Sequence, residues 1–522
     1  MSSISTTSPP LADPPDPPPS GLFPLIASSR PPAIVIGSGF GGLASAIRLQ
    51  ARGYQVTLLE ALEQPGGRAS VFCDQGFTYD AGPTILTAPF LLDELFALNQ
   101  KKTSDYIRIV PCHPFYRIVW HDGYAFEYTG NQADMEAEVR RLAPDDLEGY
   151  RRFVGETHAI FQRAFIELAD QPFTHFTDML RVAPDLIRLR SDRSVWQMAC
   201  RHVKNQRLRE VLSFHPLLVG GNPFQSSSIY AMIHYLERQW GVHFAMGGTG
   251  ALVQALVKLL EDLGGQLRLH APVDQLLVEK NAVAGVRLRS GETLRAQVVV
   301  SNADVANFYR KKVSPAVRHK WTDRRLEKMR YSMSLFLIYF GTNRTYPDLA
   351  HHTIWLGPRY KGLLDDIFHH RILAEDFSLY LHAPTRTDPS LAPKGHECFY
   401  VLSPVPHLGS PGDRIDWEKE KESYADRILA ALEKSIVPDL RKHLVSKLIF
   451  TPRDFESRLD AYHGSAFQFE PILTQSAWFR PHNVSEDVQG LYLCGAGTHP
   501  GAGVPGVLSS AKLLDRVIPP PG

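Results

Sequence analysis

The sequence has few cysteines, and they are widely separated along the chain. Five occur in 522 residues without a Cys-x-x-Cys pair, namely Cys73, Cys112, Cys200, Cys398 and Cys494. This odd, scattered set excludes a disulfide framework and the usual structural zinc site, and it favours a reducing, intracellular compartment. An excess of one charge is also lacking, because 56 Lys and Arg face 55 Asp and Glu. The net charge of +1 therefore offers no field that attracts nucleic acid.

Uninterrupted apolar runs that could cross a bilayer are missing as well. The longest stretch without a charged residue covers 211–236, but Pro216, Gly220 and Pro223 would interrupt a helix there. The second stretch, 490–511, is still richer in glycine and proline. Neither is typical of a transmembrane helix. Attachment through exposed apolar side chains remains open, so a peripheral, monotopic protein is compatible with this composition.

The first thirty-two residues differ from the rest of the chain. Residues 1–32 contain ten prolines among serines and threonines. Such a segment has too little apolar content to pack, so we predict a disordered tail. It also lacks a charged start followed by an apolar core, which argues against a targeting signal.

The chain after Pro32 begins with the pattern of a dinucleotide-binding unit. An apolar, β-branched run at 33–36 leads into Gly37-Ser-Gly39-Phe-Gly41-Gly42. A helical pattern follows at 43–52 and a second strand at 55–59, which ends on Glu60. Strand, Gly-x-Gly-x-x-Gly, helix, strand and acid in this order predict a Rossmann-type unit, whereas a lone glycine triplet would not.

Each part of this pattern has a physical task. Gly37 permits the tight turn, Gly39 lets the backbone approach a pyrophosphate, and Gly42 lets helix and strand pack closely. The helix N-terminus presents free N–H groups and the positive end of its dipole to the phosphates. Glu60 is expected to accept hydrogen bonds from ribose hydroxyl groups.

Later motifs indicate FAD rather than NAD. Pro65-Gly66-Gly67-Arg68 can bring a cation against the pyrophosphate, and the motif Phe77-x-x-Asp80-Ala-Gly-Pro-Thr84 follows. Near the C-terminus, a strand leads into a glycine-rich loop at 495–506 and then into a helix at 507–517. A loop of this kind can lie flat against a planar ring, with the helix dipole stabilising negative charge on a reduced flavin.

These residues resemble a known family. Pro65-Gly66-Gly67-Arg68-Ala69 resembles the flavin amine oxidase and desaturase superfamily. Six further motifs are similar to the bacterial-type phytoene desaturases: Ser213–Phe224, Gly247–Gln254, Ala374–Pro384, Ala461–Phe467, Leu473–Pro481 and Gly495–Gly503. The resemblance extends from Ala33 to Val517.

The resemblance implies an α/β fold with a Rossmann-type FAD-binding domain, a mixed-sheet substrate domain and a helical cap. The FAD-binding domain is expected to comprise the discontinuous segments 33–110, 245–315 and 480–517. Substrate binding is assigned to 111–130 and 316–479, and the cap or membrane-facing region to 131–244. Helical patterns over 131–212 and β-rich runs over 330–410 support this division independently.

The expected FAD-binding residues come from the motifs and the resemblance together: Gly37, Gly39, Gly42, Glu60, Gly67, Arg68, Thr84, Val273, Gly495, Gly497, Gly503 and Val504. For catalysis the resemblance points to Asp178 and Arg181, at the positions of the family's proposed acid/base and its supporting arginine. Their i, i+3 spacing equally describes an ordinary surface ion pair. His463, His499, Glu375 and Asp376 are weaker candidates, and no metal-ligand spacing is present.

The implied activity is FAD-dependent desaturation of phytoene to conjugated carotenes, with lycopene favoured over shorter products. The substrate is a C40 hydrocarbon dissolved in lipid, so an apolar, aromatic-rich lining is expected. The candidates for that lining are Phe214, Phe224, Tyr230, Trp240, Phe244, Phe467 and Trp478. Quinone or oxygen would accept the electrons, and the protein would lie on the cytoplasmic side of a membrane.

Two alternatives remain open at the level of sequence. One keeps the flavin and changes the substrate, as in an amine oxidase, a porphyrinogen oxidase, or another carotenoid desaturase or isomerase. An aromatic cage for an amine would favour the amine oxidase. The other is a non-catalytic isoprenoid-escort protein, which would have no reason to retain the glycine motifs, Glu60 and Arg68.

Overall fold

The computed structural model describes residues 30–409 and 415–521. The predicted tail at 1–32 therefore lies almost wholly outside the described residues. The strands, in chain order, are β1 Pro32–Ile36, β2 Gln55–Leu59, β3 Val71–Asp74, β4 Phe77–Asp80, β5 Ile109–Pro111, β6 Tyr116–Trp120, β7 Ala125–Tyr128, β8 His243–Ala245, β9 Gln266–Arg268, β10 Val273–Glu279, β11 Ala282–Leu288, β12 Thr293–Arg295, β13 Val298–Ser301, β14 Ser334–Thr342, β15 His352–Leu356, β16 Leu379–His382, β17 Glu397–Val405, β18 Leu444–Phe450 and β19 Leu491–Leu493.

The helices, in chain order, are α1 Phe40–Ala51, α2 Phe90–Ala97, α3 Gln132–Leu142, α4 Leu147–Phe161, α5 Phe176–Arg188, α6 Val195–His202, α7 Gln206–Ser213, α8 Met232–Trp240, α9 Gly248–Asp262, α10 Val305–Lys312, α11 Asp323–Glu327, α12 Tyr360–Asp365, α13 Trp417–Ser435, α14 Leu440–His443, α15 Pro452–Leu459 and α16 Val504–Val517. The first and last of them begin three residues earlier than the sequence pattern predicts. Glycines and prolines occupy their first turns, and these residue types do not signal a helix interior.

A parallel sheet forms one half of the molecule. Its order is β19-β13-β1-β2-β9, and every pairing in it is parallel. Ala33 and Val35 pack toward α1, α9 and α16, whereas Ile34 and Ile36 pack on the other side. That second side is covered by the antiparallel sheet β10-β11-β12 and by α10. Because both faces are buried at the centre of the sheet, β1 and β13 are largely apolar, whereas the edge strand β9 carries Gln266 and Arg268.

A second sheet forms the other half. Its order is β18-β14-β17-β16-β15-β6-β7, and only the β15–β6 pairing is parallel among those described. The α/β class with a mixed second sheet is thus as predicted. Helices α3–α8 lie between β7 and β8, within the stretch where the sequence has helical periodicity. Among the described residues, no helix is both long and apolar enough to cross a membrane.

Candidate functional site

A single cavity connects the two halves of the molecule. It has a volume of about 810 Å³. At one end it is lined by the residues that follow the carboxyl ends of the parallel strands: Gly37, Glu60, Asn302 and Ala496. Ligands bind at this edge of open α/β sheets, because each strand delivers its following loop there. The glycine motifs of the sequence therefore converge on one space.

The turn from β1 to α1 has no room for side chains. Gly37 has a φ of +89°, in the left-handed region that favours glycine. A Cβ on Gly42 would lie 1.9 Å from the Gly37 carbonyl oxygen, and one on Gly39 would lie 2.9 Å from Asn302 Oδ1. The close packing predicted for Gly42 is therefore present, and Gly39 leaves bare backbone on the cavity wall.

Glu60 stands at the end of β2, as the sequence predicts, but its carboxylate is already hydrogen-bonded within the chain. Its Oε2 accepts from the Ser38 backbone N–H at 2.9 Å and from the Ser38 hydroxyl at 2.6 Å. Its Oε1 accepts from the Leu62 backbone N–H at 3.0 Å. Glu60 thus holds the glycine turn in place, besides facing the cavity.

Arg68 brings a buried positive charge to the cavity wall. Its Nε and Nη2 atoms are buried and have no hydrogen-bond partner. Burial lowers the pKa of the Arg68 guanidinium, while nearby Asp304 opposes that shift. Free N–H donors in a buried guanidinium fit the phosphate oxygens of a dinucleotide. The residues around the glycine turn are therefore suited to the pyrophosphate of FAD.

The C-terminal loop closes the same end of the cavity. Gly503 has a φ of +97° and immediately precedes α16, so the free N–H groups of this helix start at the cavity wall. Gly495 and Gly497 lie behind the wall, and a Cβ on either would collide with Asn302 or Gln468. Val504 and Val273 both line the cavity, and their role in binding FAD stays a prediction.

Beyond the glycine loops the cavity is apolar. Its walls come from the second sheet and the residue before β14, from α8 and from the turn His215–Val219: Leu217, Leu218, Met232, Ile233, Leu236, Met333, Leu335, Leu337, Ile354 and Leu379. Thr84 lies on this wall and joins two tyrosines, since its hydroxyl is 2.6 Å from that of Tyr400 and 3.1 Å from that of Tyr380. A hydrocarbon is the ligand that such a surface holds best.

The aromatic predictions are correct in part. Phe214, Tyr230 and Phe467 line the cavity. Four others pack against other rings instead: Trp240 on Phe161, Phe244 on His351, Phe224 on Trp196 and Trp478 on Phe176. Composition alone does not tell which aromatic residue faces a cavity and which fills the core.

Asp178 and Arg181 do not reach the cavity. Asp178 lies in the first turn of α5, where its Oδ2 accepts from the His175 backbone N–H at 2.9 Å. Arg181 contacts its Oδ1 at 3.5 Å, with 80% of the arginine side chain exposed. This arrangement is a capping box with a surface ion pair. The catalytic role implied by the resemblance stays a prediction.

The weaker candidates are also placed outside the cavity wall. His463 packs against His407, and His499 lies within hydrogen-bond distance of the Leu168 carbonyl. Burial lowers the pKa of each of these two imidazoles to about 4. Asp376 is bound to Arg359 at 2.5 Å. None of them has a geometry that points to chemistry in the cavity.

Three polar residues on the cavity wall are not among those predicted from the sequence. Asn302 fills the space between Gly39, Gly41 and Gly495, and Asp304 faces Arg68. Both follow β13, so their position after a strand of the parallel sheet was the available signal. Glu237, on α8, lines the apolar part of the cavity and is fully buried. It stands within an ordinary amphipathic helix pattern, which gives no such signal.

Comparisons with known proteins agree with this geometry. A family model described as flavin containing amine oxidoreductase matches residues 40–513. A protein of Pseudescherichia vulneris named phytoene desaturase (lycopene-forming) is 52% identical over 92% of this chain and 97% of its own. A neurosporene-forming phytoene desaturase of Rhodobacter capsulatus is 45% identical over 93% of this chain and 94% of its own.

Solved structures are similar to this chain in fold alone. An oxidoreductase from Methanosarcina mazei aligns with a TM-score of 0.61 at 17% identity, covering 93% of this chain and 100% of that one. A triple mutant of putrescine oxidase aligns with a TM-score of 0.63 at 14% identity, covering 94% and 99%. At these identities the resemblance concerns architecture and not substrate.

Proposed function

The chain belongs to the flavin-containing amine oxidoreductase family, and from its phytoene desaturase relatives we propose that it desaturates phytoene with FAD. The observation that carries the proposal is the single cavity, which joins the glycine loops to a long apolar wall. FAD, when bound, supplies the acceptor for a hydride. The chain's own residues bind the hydrocarbon, at about 0.8 kcal/mol per buried methylene, and keep water out.

We propose the same assignment of chain segments to FAD and to substrate as the sequence predicts. Segments 33–110, 245–315 and 480–517 would hold FAD, through Gly37, Gly39, Gly42, Glu60, Gly67, Arg68, Thr84, Val273, Gly495, Gly497, Gly503 and Val504. The free donors of Arg68 and the bare backbone at Gly39 support this assignment. Segments 111–130 and 316–479 would hold the hydrocarbon, under a cap formed by 131–244.

An amine substrate is disfavoured by the tyrosines on the wall. The rings of Tyr380 and Tyr400 are 5.7 Å apart at 52°, and their hydroxyl groups meet at Thr84. A cation attracted by a ring lies over the ring face within about 6 Å of its centroid, and two tilted rings whose centroids are 5.7 Å apart leave no space for an ammonium group between them. The two tyrosines are part of the cavity wall and do not form an aromatic cage between them.

The function is tested by giving phytoene in liposomes to the purified, FAD-loaded protein and separating the polyenes by chromatography. We expect conjugated carotenes that end at lycopene, in keeping with the lycopene-forming relatives. Accumulation of neurosporene would correct the number of steps. Recovery of unchanged phytoene with every acceptor supplied, quinone and oxygen included, would contradict the proposal.

We propose further that the protein meets the membrane through α5. Four of the large apolar side chains exposed in the described residues lie within 22 positions of one another: Ile166, Phe176, Leu180 and Ile187. Three of these lie on α5, at spacings of four and seven residues that put them on one helix face. Only Val182 of that helix is buried. Arginines at 181 and 188 complete the pattern of an interfacial helix.

This apolar patch is connected to the cavity. Ala164 and Phe165, in the turn Gln162–Glu167 that continues α4, line the cavity. Ile166 of the same turn is exposed, and Arg163 is bound to Asp185 of α5 at 2.6 Å. A substrate dissolved in lipid would therefore enter beside the helix that contacts the lipid. This continuity favours a membrane over another protein as the occupant.

Changing Leu180 and Ile187 to glutamate together tests the membrane contact. We expect at least tenfold weaker flotation with phosphatidylcholine–phosphatidylglycerol vesicles, because the apolar face that inserts is lost. Turnover of phytoene in detergent micelles should persist. The matched control is Leu98→Glu, which changes a leucine 48% exposed on another surface and should float like the wild type. Equal flotation of the double variant would contradict a contact through α5.

A further inference from the structure

The reaction proposed above releases a proton, and Asp178, the acid/base candidate of the sequence, does not lie on the cavity wall to accept it. Each desaturation breaks two C–H bonds on neighbouring carbons. One hydrogen leaves with its electron pair as a hydride to FAD, and the other leaves as a proton while its electrons form the new double bond. In an apolar cavity that excludes water, the proton passes either to the reduced flavin or to a basic group on the wall.

Most polar groups on the wall cannot take this proton. The lysines and arginines that line the cavity are already protonated, and burial raises the pKa of Tyr380 and Tyr400, which keeps them as neutral phenols. Of the carboxylates on the described wall, Glu60 is bound to the glycine turn and Asp460 to Lys311. Asp304 caps α10 and faces Arg68. All three stand near the glycine-loop end.

Glu237 remains, and its position suits the task. It lies on the face of α8 that also carries Met232, Ile233 and Leu236, all on the apolar wall. The side chain is fully buried, and a buried carboxylate is retained only where its charge is hydrogen-bonded. The Tyr116 hydroxyl donates to its Oε1 at 2.6 Å, and His215 Nε2 lies 3.2 Å from its Oε2.

We infer that Glu237 is the proton acceptor for the hydrocarbon bound in this cavity, an inference that rests on the proposed function. The C–H proton passes to a Glu237 carboxylate oxygen and returns to solvent after product leaves. The surrounding titratable groups come from several elements: Tyr116 on β6, Tyr128 on β7, Tyr150 on α4, His215 in the turn His215–Val219, and His234 and Arg238 on α8. Tyr116 and His215 hold the carboxylate of Glu237, a residue of the cavity wall.

The first test is Glu237→Gln, which preserves shape and removes the basic group. Turnover of phytoene should fall by about 10²–10⁴-fold, the usual contribution of a general base. FAD content, melting temperature and binding of phytoene, followed by quenching of protein fluorescence, should stay near wild type. The matched control is Glu210→Gln. Glu210 is also a buried helical glutamate, but it binds Trp120 Nε1 at 2.7 Å away from the cavity wall.

The second test is Tyr116→Phe, which leaves the carboxylate in place and removes its donor. Losing a hydrogen bond to the charged form raises the pKa of a carboxylate, so the acidic limb of the pH–rate profile should move to higher pH. Turnover at alkaline pH should be retained within a few fold. A purely structural role for Glu237 would lower stability in this variant and leave the acidic limb unmoved.

The results of these tests distinguish a failure of this inference from a failure of the proposed function. If the wild-type protein leaves phytoene unchanged, the proposed function is wrong, and the reaction for which Glu237 would accept a proton does not occur. If wild type desaturates phytoene and Glu237→Gln does so at a similar rate, the function stands and this inference is overturned. If Glu237→Gln does not retain FAD, the pH–rate profile of Tyr116→Phe tests the inference instead. An acidic limb at the wild-type pH overturns it.

Discussion

At the scale of single residues, two buried arginines have opposite surroundings. Arg48 is ion-paired to Glu94 at 2.5 Å and to Asp515 at 2.7 Å, so its charge is compensated by the protein. Arg68 has two buried N–H donors that no group of the described chain accepts. A buried polar group without a partner costs about 1–3 kcal/mol, which favours a ligand that supplies the missing acceptors.

Replacing Arg68 with glutamine should therefore separate binding from stability. We expect FAD affinity to fall by about 10–100-fold, as the loss of charge-assisted hydrogen bonds implies, while the FAD-free protein melts at the same or a higher temperature. Equilibrium dialysis and thermal melting of both forms measure the two effects. Arg48→Gln is the control with the reverse result: lower stability and unchanged FAD affinity. Undiminished FAD binding by Arg68→Gln would remove Arg68 from the site.

At the scale of elements, α5 gives Asp178 a structural task. Its carboxylate accepts a hydrogen bond at the N-terminus of the helix, where negative charge is also favoured by the dipole. A cap of this kind contributes about 0.5–2 kcal/mol to a helix. The position of Asp178 is thus explained without chemistry.

The variant Asp178→Asn distinguishes the cap from the acid/base role. Asparagine also caps helices, so we expect a loss of less than about 1 kcal/mol in stability and turnover within a few fold of wild type. Steady-state desaturation and thermal melting measure this. A fall of 100-fold or more in turnover, with FAD content and melting temperature unchanged, would instead establish the role that the resemblance implies. Asp192, an exposed aspartate outside α5, provides the control variant Asp192→Asn.

Strands and turns were easier to predict from the sequence than the tertiary contacts of single residues. The strand at 55–59 and the glycine turn follow from patterns within a few residues, because alternation and turn chemistry are local. Glu237 could not be identified in this way, since its burial depends on β6 and on the turn at His215–Val219, which are distant in sequence. For the same reason Phe214 and Phe244 looked equivalent, although only Phe214 faces the cavity.

At the scale of the whole molecule, buried histidines govern the response to acid. Burial lowers the pKa of six histidines that are at most 9% exposed: His234, His351, His352, His382, His482 and His499. On unfolding they regain an ordinary pKa and bind protons below about pH 6.5. Burial acts oppositely on three acids, raising the pKa of Asp80 to about 6, that of Glu470 to about 7 and also that of Asp304.

We therefore expect stability to fall as the pH is lowered from 7 to 5. The unfolded chain binds more protons than the folded one in this range, because the buried histidines with a lowered pKa outnumber the buried acids with a raised pKa. Thermal melting of the FAD-loaded protein at pH 7.5 and pH 5.5 measures the effect. A melting temperature that is equal or higher at pH 5.5 would show that the acids outweigh the histidines.

The order of the parallel sheet has a consequence for synthesis on the ribosome. Its central strand, β1, ends at Ile36, whereas β19 at the sheet edge begins at Leu491. At roughly 5–20 residues per second, the nascent chain carries an incomplete sheet for about half a minute or longer before that edge is made. Unpaired apolar strands invite association between chains during this time. Slower growth at low temperature and chaperone capacity should therefore govern the yield of this protein, and a chain that ends before β19 should be recovered as aggregate.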